Sequence, residues 1–277
     1  MSATQETVIY FLKKTYNYKT IPDRIIALDM NPDYIGYSVI DWLGENKYNI
    51  IKTGSFSLKP LNDYQDSLCV SSDDLKSKYI TNKRNHELIH IANQLFTLCK
   101  HFRCETFAIE NLKFNQGDRG FGHKFNRLVN NQWNRNVFIQ QLKKHLDLSP
   151  TIFVKIDPEY SSVAGNLLYR HEKLPDEVLA SIEINRRAFE LVSQRFLNRR
   201  PVKKCVLFPD LESVKSQLIQ SLEELGFDVP DFKSTKEIFT MVKKSGKKYR
   251  FSLLDVPSES LFSKFYKQKY LIVYNFK

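Results

Sequence analysis

Two short, otherwise apolar segments each carry one carboxylate near their C-terminal end: RIIALDM at 24–30 and FAIEN at 107–111. In an extended chain successive side chains alternate between faces, so Ile25, Ala27 and Asp29 share one side while Ile26, Leu28 and Met30 share the other. Glu110 likewise lies on the side of Ala108, with Phe107 and Ile109 opposite. An acid at the end of such a strand is costly if it is buried without a partner. Read singly, each has a plain explanation. Asp29 suits a turn with Asn31 and Pro32, and Glu110 suits a strand-end salt bridge. A third acid, Asp176, opens a helical stretch in LPDEVL, where aspartate caps free N–H groups whatever else it does.

Taken together the three point elsewhere. Two strand ends and one helix start can converge on one sheet edge, and carboxylates brought close repel each other unless cations are present. Hard divalent ions with oxygen ligands, Mg²⁺ or Mn²⁺, meet that need. Two such ions activate a water and stabilise the leaving oxygen of a phosphodiester. Asp29, Glu110 and Asp176 are therefore the candidate catalytic and metal-binding set, with two ions expected. The cysteines, Cys69, Cys99, Cys104 and Cys205, form no C-x-x-C pair, so no zinc is expected and they read as reduced thiols in or near the core.

The rest of the 277-residue chain reads as a mixed α/β layer fold. Residues 24–40 form two strands around a polar turn, and 48–58 form a third, giving a meander. The polar stretch from Leu61 to Lys83 reads as a long loop. Residues 86–102 and 128–146 have helical spacing, TIFVKI at 151–156 is a further strand, and PDEVLASIEINRRAFELVSQRFL is a long amphipathic helix. On a helical wheel Asp176, Glu183 and Arg187 fall together, opposite Val178, Ile182, Phe189 and Phe196. That pattern predicts a solvated face carrying a Glu183–Arg187 pair; the sharper alternative puts Arg187 on a carboxylate or phosphate at the site. Asp157 reads as a turn residue ahead of Pro158, and Ser161 and Ser162 read the same way, with a bond to phosphate as their alternative. Pro201 is a soft boundary, which divides the chain into an N-terminal arm at 1–23, a core at 24–200 and an extension at 201–277.

Lys and Arg number 42 against 31 Asp and Glu, a net charge of +11, so a polyanion is the first partner to consider. The segment KFNQGDRGFGHKFNR interleaves Lys113, Arg119, Lys124 and Arg127 with phenylalanines, a pattern suited to phosphates on cations and bases on rings. Arg186 and Arg187 join these four as candidate nucleic-acid contacts. DNA is the expected partner, RNA stays open, and the 201–277 extension is a further candidate for nucleic-acid or partner binding. Only nine glycines occur, which argues against glycine-rich nucleotide folds. No apolar run is long enough to span a bilayer and the first residues lack the order of a signal peptide, so a cytoplasmic protein away from membranes is expected.

In this order, LDMNPDYIGYSVID, FAIENL and PDEVLASIEINRRA resemble the three motifs of RuvC-type nuclease domains. The closest resemblance is to transposon-encoded TnpB-like proteins, relatives of the type V CRISPR effector nucleases. KIDPEYSSVAGN is similar to the family's segment with a Pro, an aromatic and a Thr or Ser pair ahead of the third motif. The resemblance covers roughly residues 24–200. It implies an RNase H-like (RuvC-type) mixed sheet flanked by helices, with a small α+β C-terminal extension. It also implies Mg²⁺-dependent hydrolysis of DNA phosphodiesters, an endonuclease activity, with Asp29, Glu110 and Asp176 as the matched acids. Two family features are missing: the zinc ribbon before the last acid and the large N-terminal recognition region. A catalytically degenerate nucleic-acid-binding regulator or accessory factor derived from such a nuclease is the alternative. An actin- or hexokinase-like ATPase would need a second D-x-G phosphate loop and a glycine-rich adenosine site, and neither is present.

Overall fold

The computed structural model describes residues 16–44, 47–68, 74–112, 135–198, 209, 211–229 and 231–250. Its centre is a five-stranded sheet of β1 (Ile21–Met30), β2 (Tyr34–Gly44), β3 (Lys47–Ser57), β4 (Cys104–Glu110) and β5 (Ile152–Ile156), in the order β3-β2-β1-β4-β5. β1, β2 and β3 pair antiparallel, whereas β4 runs parallel to β1 and β5 parallel to β4. A meander joined to two parallel crossover strands, covered by helices on both faces, is an RNase H-like α/β fold.

The alternation of side chains divides the core in two. Ile26, Leu28, Met30, Val39, Phe107 and Ile109 face α2 (Asp74–His101) and α3 (Arg135–Leu146). Ile25, Ala27, Ile40, Trp42, Ala108, Val154 and Ile156 face α4 (Ser161–Leu168) and α5 (Asp176–Asn198). The same cluster takes in Val214, Leu218 and Leu222 of α6 (Leu211–Glu224) and Ile238, Phe239 and Val242 of α7 (Thr235–Lys244). The described part of the C-terminal extension thus shares the core of the sheet, and Ser221 Oγ donates to the Leu167 carbonyl at 2.6 Å. That part contains helices only, and the strand expected at its end lies outside the described residues.

Helix α5 is pinned to the sheet by one amide. Asn185 Nδ2 donates to the carbonyls of Ile25 at 2.9 Å and Ser38 at 3.1 Å, and its Oδ1 accepts from Trp42 Nε1 at 2.7 Å. All three bonds are buried, where an unpaired polar group costs more than a bond contributes. Glycines allow the close approach. A Cβ at Gly36 would meet the Glu177 carbonyl at 2.2 Å, and one at Gly165 would meet the Leu179 carbonyl at 2.5 Å.

The stretch read as a loop from Leu61 to Lys83 is instead largely helical: α1 (Lys59–Leu68) fills its start, and α2 begins at Asp74 rather than near residue 86. Burial in and beside this stretch falls on a few residues. Leu58 and Ile80 are buried, and Arg84 is buried with Nη2 on Asn62 Oδ1 at 2.6 Å. Long-range contacts of that kind leave little local periodicity to read. Among the described residues no helix is long and apolar enough to cross a membrane.

Candidate active site

Parallel pairing decides where the two strand acids meet. The register of β1 against β4 runs Ala27 beside Ala108 and Leu28 beside Ile109, so Asp29 and Glu110 follow at the same end of adjacent strands. On the other side of β1, Asp29 pairs with Gly36, the position against which the first turn of α5 packs. Residues 176 and 177 therefore descend onto the sheet beside Asp29 because a glycine leaves room for them.

The result is a buried group of acids at one sheet edge. Asp29 is 6% exposed and Glu110 4%. Burial pushes the Asp29 carboxyl well above its usual range, and the charges of Glu110, Asp176 and Glu177 push it further in the same direction. Among the described residues no hydrogen bond reaches the Asp29 carboxylate, and the charge of Arg250 offsets only part of that cost. Glu110 is raised to about 7 by burial, opposed by Ser161 Oγ, which donates to Oε1 at 2.8 Å, and by the Met30 N–H. Burial also raises Asp176 and Glu177. Glu177 thus joins the three acids read from sequence.

Donors hold two of these acids in place. Asn166 Nδ2 donates to Asp176 Oδ1, and the Arg250 Nε lies 3.3 Å from Asp176 Oδ2. Arg135 fixes the end of β4 by donating to the carbonyls of Glu110 at 2.7 Å and Leu112 at 2.6 Å. Asn166 closes the KIDPEYSSVAGN segment without having been singled out there, whereas Arg135 and Arg250 come from parts of the chain that no motif marked. Among the described residues no three His, Cys, Asp or Glu side chains make a closed metal-binding group; both oxygens of Asp176 face nitrogen donors instead. The chemistry of the donor set nevertheless suits a hard divalent ion. All are carboxylate oxygens, the donor type that such an ion prefers.

The long helix departs from its predicted solvated face. The Glu183–Arg187 pair forms at 2.7 Å, but Glu183 is 0% exposed, Arg186 2% and Arg187 1%. Arg186 Nη2 also reaches Glu183 Oε1 at 2.8 Å. Arg187 Nη1 donates to the carbonyls of Asp157 at 2.9 Å and Glu159 at 2.8 Å, and this turn covers the polar side of the helix. Arg186 and Arg187 are consequently out of reach of a nucleic acid, which corrects their assignment as contacts. Asp157 does make the expected turn, its Oδ1 accepting from the Glu159 N–H at 3.1 Å. Tyr160 follows with φ 59°, and Ser161, read as a turn residue with a phosphate contact as the alternative, bonds Glu110. Lys113, Arg119, Lys124 and Arg127 lie outside the described residues. Cys99 and Cys104 are free and buried, as expected.

No protein-family model and no curated protein matches the sequence. Among solved structures, the fold is similar to that of Thermus thermophilus RuvC in complex with a Holliday junction substrate, with a TM-score of 0.37 and 11% identity over 61% of this chain and 95% of that one. It is also similar to the yeast mitochondrial Holliday junction resolvase Ydc2, with a TM-score of 0.37 and 13% identity over 72% of this chain and 90% of that one. At such values the site is read from its own residues.

Proposed function

We propose that this protein is a metal-dependent endonuclease that hydrolyses DNA phosphodiesters, with Asp29, Glu110 and Asp176 as catalytic and metal-binding residues and Glu177 beside them. The observation that carries the reading is the Asp29 carboxylate: nearly buried, without a hydrogen bond among the described residues, and raised by the charges of three other acids. Folding has concentrated negative charge at one sheet edge, an arrangement that a cation would relieve. Mg²⁺ or Mn²⁺ at these oxygens, two ions being the expected number, would supply Lewis-acid activation of water and charge stabilisation at phosphorus. The chain's own residues would set the geometry. Ser161 orients Glu110, Asn166 orients Asp176, and Arg135 holds the strand end that carries Glu110. Basic charge on the rest of the chain, including Lys113, Arg119, Lys124 and Arg127, would hold the phosphates. Within RuvC-like nucleases the motifs favour a TnpB-like origin.

One observation favours the second reading, a degenerate nucleic-acid-binding regulator. Arg250 already brings a positive charge to Asp176. The substitution Glu110→Gln separates the two. It preserves shape and removes one negative charge, so DNA affinity holds or rises while cleavage falls at least about 10²-fold. Single-stranded, duplex and branched DNA are assayed with Mg²⁺ and with Mn²⁺, using protein from its native host so that any RNA or protein partner is retained. Wild-type protein that binds all three and cuts none supports the regulator.

A further inference from the structure

We propose that Arg250 is a substrate-binding residue of this site, one that takes a DNA phosphate at the carboxylate edge and releases Asp176 to do so; this rests on the nuclease reading. The contact it makes now is an exchangeable one. Its side chain is 62% exposed with Nε 3.3 Å from Asp176 Oδ2, and ion pairs of that exposure contribute little. Its backbone, by contrast, is anchored. Tyr249 packs against the core cluster, Arg170 Nη1 reaches the Tyr249 carbonyl at 3.5 Å, and Arg170 Nε lies 3.3 Å from Glu224 Oε2. Two residues earlier, Lys247 Nζ donates to the Gly226 carbonyl at 2.7 Å and lies 4.6 Å over the Phe227 ring. A fixed backbone bearing an exposed guanidinium beside buried acids is a positioned cation, not a loose one.

The surrounding charge fits an incoming anion. Lys243, Lys244, Lys247 and Lys248 are exposed in the stretch just before Arg250. Taken alone that run would be a solvated surface. What sets Arg250 apart is its contact with Asp176 and a charge felt at Asp29. A divalent ion taken up by these acids would compete with the guanidinium for Asp176. The freed fork would then stand next to a metal-bound phosphate, an anion whose oxygens it matches in geometry. The same residue therefore opposes metal and favours DNA, two effects of opposite sign.

The test compares full-length wild type, Arg250→Gln and Arg250→Lys. Mn²⁺ binding is measured by calorimetry without DNA, and DNA binding by fluorescence anisotropy in Ca²⁺ over a range of salt. Arg250→Gln is expected to bind Mn²⁺ several-fold more tightly. It should bind DNA roughly tenfold more weakly, the loss of one charge-assisted contact, with the salt slope reduced by about one phosphate. Arg250→Lys should restore the slope but not the full affinity, because a point charge lacks the fork. If Arg250→Gln matches a wild type that binds both ligands, the role of Arg250 is overturned and the nuclease reading stands. If the wild type binds neither Mn²⁺ nor DNA, the nuclease reading fails and this inference falls with it.

Discussion

The Glu183 carboxylate and the Arg187 guanidinium, one helical turn apart on α5, meet at 2.7 Å with both side chains buried. Burial favours protonation of Glu183, and two guanidinium groups, those of Arg186 and Arg187, outweigh it and keep its carboxyl below the usual range. The pair does more than stabilise a helix. Through the carbonyls of Asp157 and Glu159, Arg187 fixes the turn from which Ser161 reaches Glu110.

Breaking that pair should be expensive in a specific order. Glu183→Gln removes the buried anion that both guanidinium groups share, leaving Arg186 its pair with Glu190, so a loss of about 3–5 kcal/mol is expected in urea denaturation. Arg187→Met leaves Glu183 with Arg186 and should cost less, yet it frees the 157–160 turn. Cleavage by Arg187→Met should therefore fall more than stability accounts for, measured well below the melting temperature. Equal activity in the folded variant would limit Arg187 to a structural role.

Asp29→Asn should act with opposite signs in the two metal states. Without metal it removes a buried, repelled charge and should raise stability by about 1–3 kcal/mol at pH 8. With Mg²⁺ or Mn²⁺ the wild type should gain stability by linkage, about 2.7 kcal/mol at a hundredfold excess over Kd. The variant should lose most of that gain. Differential scanning calorimetry with chelator and with metal reads both, and an unchanged metal shift would place the ion elsewhere.

The raised acids predict a pH dependence. A carboxyl whose value is higher folded than unfolded binds its proton more tightly in the native state. Its stabilisation is complete below the unfolded value and disappears as pH rises through the folded one. For Glu110 the window runs from the ordinary value of 4.5 to about 7, and its share is on the order of 3 kcal/mol. Metal-free protein should thus weaken between these limits in denaturant titrations, and saturating Mg²⁺ should flatten the decline. A stability that rises across the window in chelator would contradict the burial of Glu110.

Gly36→Ala tests how the helix start is positioned. The added methyl would meet the Glu177 carbonyl at 2.2 Å, which is backbone and cannot swing aside. The first turn of α5 must lift, at about 1–3 kcal/mol. Because Asp176 and Glu177 ride on that turn, Mn²⁺ affinity should fall more than it does for a surface substitution of equal cost, measured by calorimetry.

The alternation in RIIALDM and FAIEN, the helical spacing of 176–198 and the ordered acids were readable from residues alone, because backbone geometry converts local pattern into which side of an element is apolar. Asp29, Glu110 and Asp176 could be nominated on that basis. What covers the polar side could not. Parallel pairing of β1 with β4 put Asp29 and Glu110 at the same sheet end, the 157–160 turn covered Arg187, and Arg186 was buried against Glu183, although the spacing of these residues suggested solvent. The helix at Lys59–Leu68 and the early start of α2 likewise depend on contacts such as Arg84 with Asn62. Arg250 reaches Asp176 across 74 residues of sequence separation, 250 minus 176. Periodicity reports each element's own preference. Which elements meet, and so which charges are buried, paired or left exposed, is a property of the packed chain.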